Sequence, residues 1–234
     1  KIDDRTFFLF LNGKNDPQKE YEANLEAFKK NDVSFICKYP SRFKYFVTKT
    51  RTQEKLSLLA SCDKYQEFYK VHYPKKVSLI FSSYYVESPA SAFGHTFLRF
   101  GKGEKNASDK QTELFDIGIN YGAIVTTTNP ILYTLFGVIG GFKGAFSSIP
   151  YYYKIREYND YESRDLWSYE LNLTEKEKER LLDHLWELGS TWYYYYFFTG
   201  NCSQKILELL DYVNPNWKLL EKLPFYIIPA ETVK

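Results

Sequence analysis

The sequence predicts a chain of the α+β class, with helices gathered at the front and an antiparallel sheet packed against a helix behind them. Three observations predict it. The first third carries helix signals and few strand signals. Between Val77 and Tyr121, three runs rich in β-branched and aromatic residues follow one another, separated by turn residues. After the aromatic run Trp192–Phe198, an apolar helix opens at Thr199-Gly-Asn-Cys-Ser-Gln204.

Each element has its own signal. Asp16 is placed as an N-cap with Pro17 at the first helical position, and Tyr21, Leu25 and Phe28 share a face, so residues 16–31 read as an amphipathic helix. Residues 37–42 read as a turn around Pro40, and Phe43 to Thr48 alternates like a short strand. Helices follow over 53–60 and 63–71, with His72 solvated before the Pro74 turn. Residues 1–75 therefore form a helical lobe, packed on a core at 76–234.

The core opens with a strand at 77–85, a turn at 87–91, a second strand entered through Gly94-His95, and a polar loop at 101–111. A third strand, 112–121, sets Leu114, Asp116, Gly118 and Asn120 on one side. The three strands make an antiparallel meander. Residues 130–146, apolar and glycine-rich, read as a buried hairpin or kinked helix, or else as a wall for an acyl chain or a loop that dips into a bilayer surface. Residues 166–173 alternate as another strand. Thr174 and Glu177 then make a capping box for a helix whose leucines form a stripe, with His184 structural beside it.

Composition narrows the function. In 234 residues, 44% are hydrophobic and 19% aromatic, which excludes a disordered chain. The 31 basic and 29 acidic side chains leave a net charge of +2, so no broad positive field is available for nucleic acid. No apolar run reaches the roughly 18 to 20 residues that cross a bilayer. Any targeting peptide has been removed or lies outside the chain. Neither a phosphate-binding glycine motif nor a cofactor signal is present, and no cofactor or metal is expected. Of three cysteines, Cys37 and Cys62 are the natural pair if two are joined; three reduced thiols are the alternative.

The chemistry centres on Cys202. Asn201 is an N-cap and Gln204 can reach back, so the sulfur sits where unpaired N–H groups and the helix dipole favour a thiolate. The plainer reading is packing, because Cys202, Ile206, Leu209 and Val213 share a helical face. A nucleophilic thiol needs a base, and the base needs an orienting partner. His95, on a strand entered through Gly94, is the candidate base. Asn120 or Asp116 on the next strand could orient it. A helix that begins with the thiol, packed on a sheet that carries the histidine, is the papain-like arrangement, here with histidine first as in its circularly permuted branch.

Ser88-Pro-Ala-Ser-Ala-Phe-Gly-His-Thr-Phe-Leu-Arg99, Ile119-Asn-Tyr-Gly-Ala123, the stretch 136–152, Arg164-Asp-Leu-Trp167 and Tyr196-Phe-Phe-Thr-Gly-Asn-Cys-Ser203 together resemble the periplasmic domain of the Lnb family, bacterial lipoprotein N-acyltransferases. The resemblance spans about residues 33–215. It implies a thiol acyltransferase in which Cys202 takes an acyl chain from a phospholipid or lipoprotein ester and passes it to a lipoprotein α-amine, with His95 as base and Asn120 orienting it. It also implies a Cys37–Cys62 disulfide, a periplasmic location and work at a membrane surface. A papain-like peptidase or amidase of the envelope and a catalytically silent lipid- or peptide-binding domain are the alternatives.

Overall fold

A computed structural model of the chain describes residues 2–84, 94–103, 113–161, 164–223 and 226–233. The turn expected at 87–91, most of the 101–111 loop and the first part of the Ser88–Arg99 motif lie outside the described residues. The chain divides into two compact units, residues 1–72 with 179–193, and residues 73–178 with 194–234.

The first unit contains α1 (Pro17–Lys29), α2 (Val33–Lys38), α3 (Pro40–Thr50), a 3-10 segment (Gln53–Ser61), α4 (Asp63–His72) and the later part of α7 (Glu175–Leu188). Asp16 caps α1 by accepting from the Lys19 N–H at 3.1 Å. Where a turn and a strand were expected at 37–48, the chain instead forms α2 and α3. Pro40 opens α3, and Phe43, Phe46 and Val47, at helical spacing, are all buried in this unit's core. Short-range alternation misled because tertiary burial of that face decides the state. Cys37 and Cys62 form a disulfide that ties α2 to the end of the 3-10 segment. His72 is half-buried rather than solvated, with Nδ1 at 2.9 Å from the Phe68 carbonyl and its ring stacked on Phe68. Arg42 organises the unit: its guanidinium lies 4.2 Å and 4.0 Å from the Phe7 and Tyr39 ring centres and pairs with Glu20 at 2.8 Å.

The second unit carries the sheet. Its strands are β1 (Lys76–Ser82), β2 (His95–Gly101), β3 (Ile117–Ile124), β4 (Phe142–Pro150), β5 (Leu166–Leu171) and β6 (Tyr193–Tyr195), in the order β5-β1-β2-β3-β4-β6. The β5-β1, β1-β2, β2-β3 and β3-β4 pairs are antiparallel, so the predicted meander is present. Strand β3 begins later than expected, because Glu113–Phe115 form a 3-10 turn. Residues 130–146 are neither a buried hairpin nor one kinked helix. They make α5 (Pro130–Ile139), ended by Gly140 in the left-handed region, and the start of β4.

Helix α5 is turned opposite to the usual sense. Its aromatic and glycine side packs inward: Tyr133 and Phe136 lie against Phe142, and the Gly137 carbonyl accepts from the Phe197 N–H at 2.8 Å. Its aliphatic side, Ile131, Leu132, Leu135, Val138 and Ile139, is exposed. The unit is completed by α6 (Tyr151–Ile155), a wider turn at Arg156–Tyr161, and α8 (Cys202–Val213), which lies against β2 and β3.

Candidate active site

Helix α8 begins at Cys202, as its sequence requires. Asn201 accepts from the Gln204 N–H at 3.1 Å, while its amide donates to the Phe197 and Ile227 carbonyls at 2.9 Å and 2.6 Å. This side chain caps the helix and fastens the chain on both sides of it. The reciprocal half of the capping box does not form; the Gln204 Oε1 is buried with no hydrogen-bond partner among the described residues.

The register of β2 explains where the sulfur sits. Pairing between β2 and β3 ends at Leu98–Ile119, so Thr96, still paired with Phe81 of β1, has no β3 residue opposite it. Its backbone N–H lies near enough to the Cys202 sulfur to help hold the thiol's pKa down. Ser203 donates from its hydroxyl to Thr96 Oγ1 at 3.3 Å, a second tie between the helix start and the same strand residue. Cys202, Ser203 and Thr96 are all buried.

His95 is the first residue of β2, immediately before Thr96. Gly94 leads into it at φ +88°, and a Cβ there would lie 2.7 Å from both the Ser82 carbonyl oxygen and the Phe81 ring, so only glycine fits without strain. The His95 ring stacks on Phe97, two residues along the same face, and its Nε2 donates to Asn120 Oδ1 at 2.5 Å. This bond leaves Nδ1 as the basic nitrogen. The other proposed orienting residue, Asp116, is engaged elsewhere: its carboxylate takes Arg99 Nε and Nη2, each at 2.6 Å, and the Lys102 N–H at 2.8 Å. The structure thus brings His95 to Asn120, and Cys202 to the residue that follows His95. No hydrogen bond joins the sulfur to the imidazole among the described residues.

Electrostatics correct one expectation. The helix start was expected to favour a thiolate, but burial pushes the Cys202 thiol up from its usual range, and the N–H groups of Thr96, Ser203 and Cys202 offset only part of this. Burial likewise pushes the His95 imidazole down to about 4, with the Lys154 and Arg164 charges acting in the same direction and the Asn120 bond opposing them. At neutral pH the two side chains are a thiol and a neutral imidazole, not an ion pair. His184 is pushed down to about 3, first by burial and then by the Arg42 and Arg180 charges.

The family model described as the Lnb N-terminal periplasmic domain matches residues 64–234, well over half of the chain. The chain belongs to this family. A second model, a domain of unknown function (DUF7843), matches residues 1–49. No curated protein and no solved structure matches the chain. In this Lnb domain, Cys202, His95 and Asn120 all fall within the matched span. The periplasmic assignment agrees with the Cys37–Cys62 disulfide, which an oxidising compartment maintains. Among the described residues no helix is long and apolar enough to cross a membrane, and no cluster of His, Cys, Asp and Glu could hold a metal ion.

Sequence reasoning missed Thr96 and Ser203, whose part depends on where β3 leaves β2. It met Arg164 only as part of a motif and gave it no role. Lys154, whose charge also acts on His95, carried no signal.

Proposed function

We propose that this Lnb domain is a thiol-dependent acyltransferase on a circularly permuted papain-like scaffold. It would move a fatty acyl chain from a phospholipid or lipoprotein ester, through a thioester on Cys202, to the α-amine of a bacterial lipoprotein. The observation that supports the reading is that α8 starts against β2, with Cys202 beside Thr96, on the strand that carries His95, whose Nε2–H is held by Asn120.

The forward step requires His95 to move to the α8 side of β2 when substrate binds, because consecutive strand side chains face opposite sides; its Nδ1 then takes the thiol proton as sulfur attacks the ester carbonyl. The N–H groups at the start of α8 face the developing oxyanion. Collapse expels the alkoxide, which takes the proton from His95 and leaves as an alcohol. The acceptor amine then attacks the thioester, His95 removes its proton, and the thiolate departs and is reprotonated. The aliphatic face of α5 offers a lipid-bearing substrate, and the membrane surface that holds it, an apolar approach.

A second reading draws on the burial of Cys202 and its raised pKa: a catalytically silent domain that binds a lipid or peptide. One experiment separates them. The protein is incubated with isotope-labelled phospholipid or with a diacylated lipopeptide, and its intact mass is measured before and after hydroxylamine. A hydroxylamine-labile acyl adduct on the native chain, missing from Cys202→Ala, supports the transferase. Bound but unreacted lipid supports the silent domain, and cleavage of an envelope peptide would indicate a peptidase or amidase.

A further inference from the structure

Arg164 lies at the start of the segment leading into β5, is almost fully buried, and makes contacts that converge on His95. Its Nε donates to the Ser83 carbonyl at 2.6 Å, and its own N–H donates to the Tyr158 carbonyl at 2.8 Å. Its guanidinium stands 4.7 Å from the Tyr158 ring centre. The neighbouring Asp165 exchanges bonds with the same serine: its N–H donates to Ser83 Oγ and the Ser83 N–H donates to its carbonyl, both at 3.0 Å.

Both ends of this clamp reach the histidine. Ser82, directly before the clamped Ser83, is the cross-strand partner of His95 and also of Leu166 on β5. On the other side, Tyr158 packs on Phe97 with ring centres 6.1 Å apart, and Phe97 packs on the His95 ring at 5.9 Å. A guanidinium suits this place because its planar fork can donate to a carbonyl in its own plane while its face stacks on a ring.

We propose that Arg164 is a positioning residue for His95, holding through Ser83 and Tyr158 the strand end and the aromatic wall that fix the imidazole. This rests on the reading of His95 as the base. The groups facing that imidazole are Asn120 from β3, Lys154 from α6, itself paired with Glu157 at 2.6 Å, and Arg164. Farther along the same face of β2, Arg99 is bound to Asp116. The Arg164 charge opposes protonation of His95, so loss of the guanidinium removes a repulsion and loosens the wall. Both changes raise the proton affinity of the ring.

The test is an NMR titration of the full chain with labelled histidine, comparing wild type, Arg164→Gln and Arg164→Lys beside thermal unfolding of each. The other two imidazoles serve as internal references. The expected His95 midpoint is about 4 in wild type. It rises by about one unit in Arg164→Gln, a tenfold gain in proton affinity, and falls between the two in Arg164→Lys. An unchanged midpoint in a folded Arg164→Gln overturns the proposal. If that variant does not fold, an unchanged midpoint in Arg164→Lys overturns it, and if neither folds the residue serves stability and the proposal falls. The titration needs no substrate. Its failure leaves acyl transfer standing, and absence of a thioester leaves the titration result intact.

Discussion

The Ser203 hydroxyl donates to Thr96 Oγ1 at 3.3 Å at the place where β3 has already parted from β2, and the Thr96 backbone N–H lies beside the Cys202 sulfur. A helix start is thus drawn onto the end of the ladder, with the candidate nucleophile against it. The arrangement fixes the sulfur, but it also buries it, and the burial outweighs the local N–H groups in setting the thiol's pKa.

Cys202 is therefore expected to be sluggish at rest. Alkylation by iodoacetamide at neutral pH should run slower than with a free model thiol, because the thiolate fraction and the access are both reduced. Slow alkylation does not tell an enzyme from a silent domain here; the thioester measurement does. Alkylation faster than the model thiol would show that the sulfur is neither buried nor protonated.

Asn120 and Asp116 separate by what each removal leaves behind. Asn120→Ala frees the His95 Nε2–H and should lower acyl transfer by about 10²-fold, a general-base loss, with little change in thermal unfolding. Asp116→Ala leaves Arg99 buried without its carboxylate and should cost about 3–5 kcal/mol in a denaturant melt. Equal loss of stability in both would remove the distinction between orienting and structural roles.

The parts of this site that were legible in the sequence are those set by local chemistry. Asp16 and Asn201 each cap the helix that follows, because an N-cap needs only a polar side chain two or three residues from an orphan N–H. The choice of Asn120 over Asp116 was not legible, since both were expected on one face and only the Arg99 ion pair decides between them. Burial of Cys202 was legible, since it shares a helical face with Ile206, Leu209 and Val213 and all four are buried; what local sequence did not show is that burial outweighs the helix start in setting the thiol's pKa. At 43–48 the alternation of large and polar residues matched a strand, and the competing helical spacing won once Phe43, Phe46 and Val47 had a core to enter.

Gly94→Ala probes the entry to the base. The left-handed φ of +88° and the 2.7 Å approach to the Ser82 carbonyl oxygen mean that a methyl group must displace β1 or β2. The backbone strain alone costs about 1–2 kcal/mol, and the His95–Asn120 bond should weaken with it. Gly101→Ala, whose Cβ would meet nothing closer than 3.4 Å, is the control. A melting temperature and a His95 titration equal to wild type in Gly94→Ala would mean that the turn does not aim the histidine.

The aliphatic face of α5 can be tested apart from catalysis. Ile131 is 78% and Val138 51% exposed, one heptad apart on the helix. A double change to glutamate should leave folding within about 0.5 kcal/mol, as exposed substitutions do, yet reduce sedimentation with phosphatidylethanolamine–phosphatidylglycerol vesicles. Unaltered sedimentation would assign lipid contact to another surface.

The depressed pKa of His95 makes two signed predictions about pH. If the proposed acyl transfer needs a neutral imidazole and a protonated thiol in the free protein, its kcat/KM should be flat between pH 6 and 8, with an acid limb near 4. A limb near 6.5 would mean the ring is solvated. For stability, the folded state binds fewer protons than the unfolded state between the two pKa values of this group. Stability is therefore full above 6.5 and is lost as the pH falls toward 4, amounting to about 2 kcal/mol at pH 5. His184, pushed down to about 3, acts in the same sense. Glu187, raised to about 7 mainly by burial, acts oppositely, since its folded-state proton is held between 4.5 and 7 and stability falls as pH rises there. The His95 share is isolated by difference: His95→Gln should lose less stability than wild type between pH 7 and 5, by that same amount. Parallel stability curves for the two chains would place the His95 pKa near its unfolded value and remove the case for a buried neutral base.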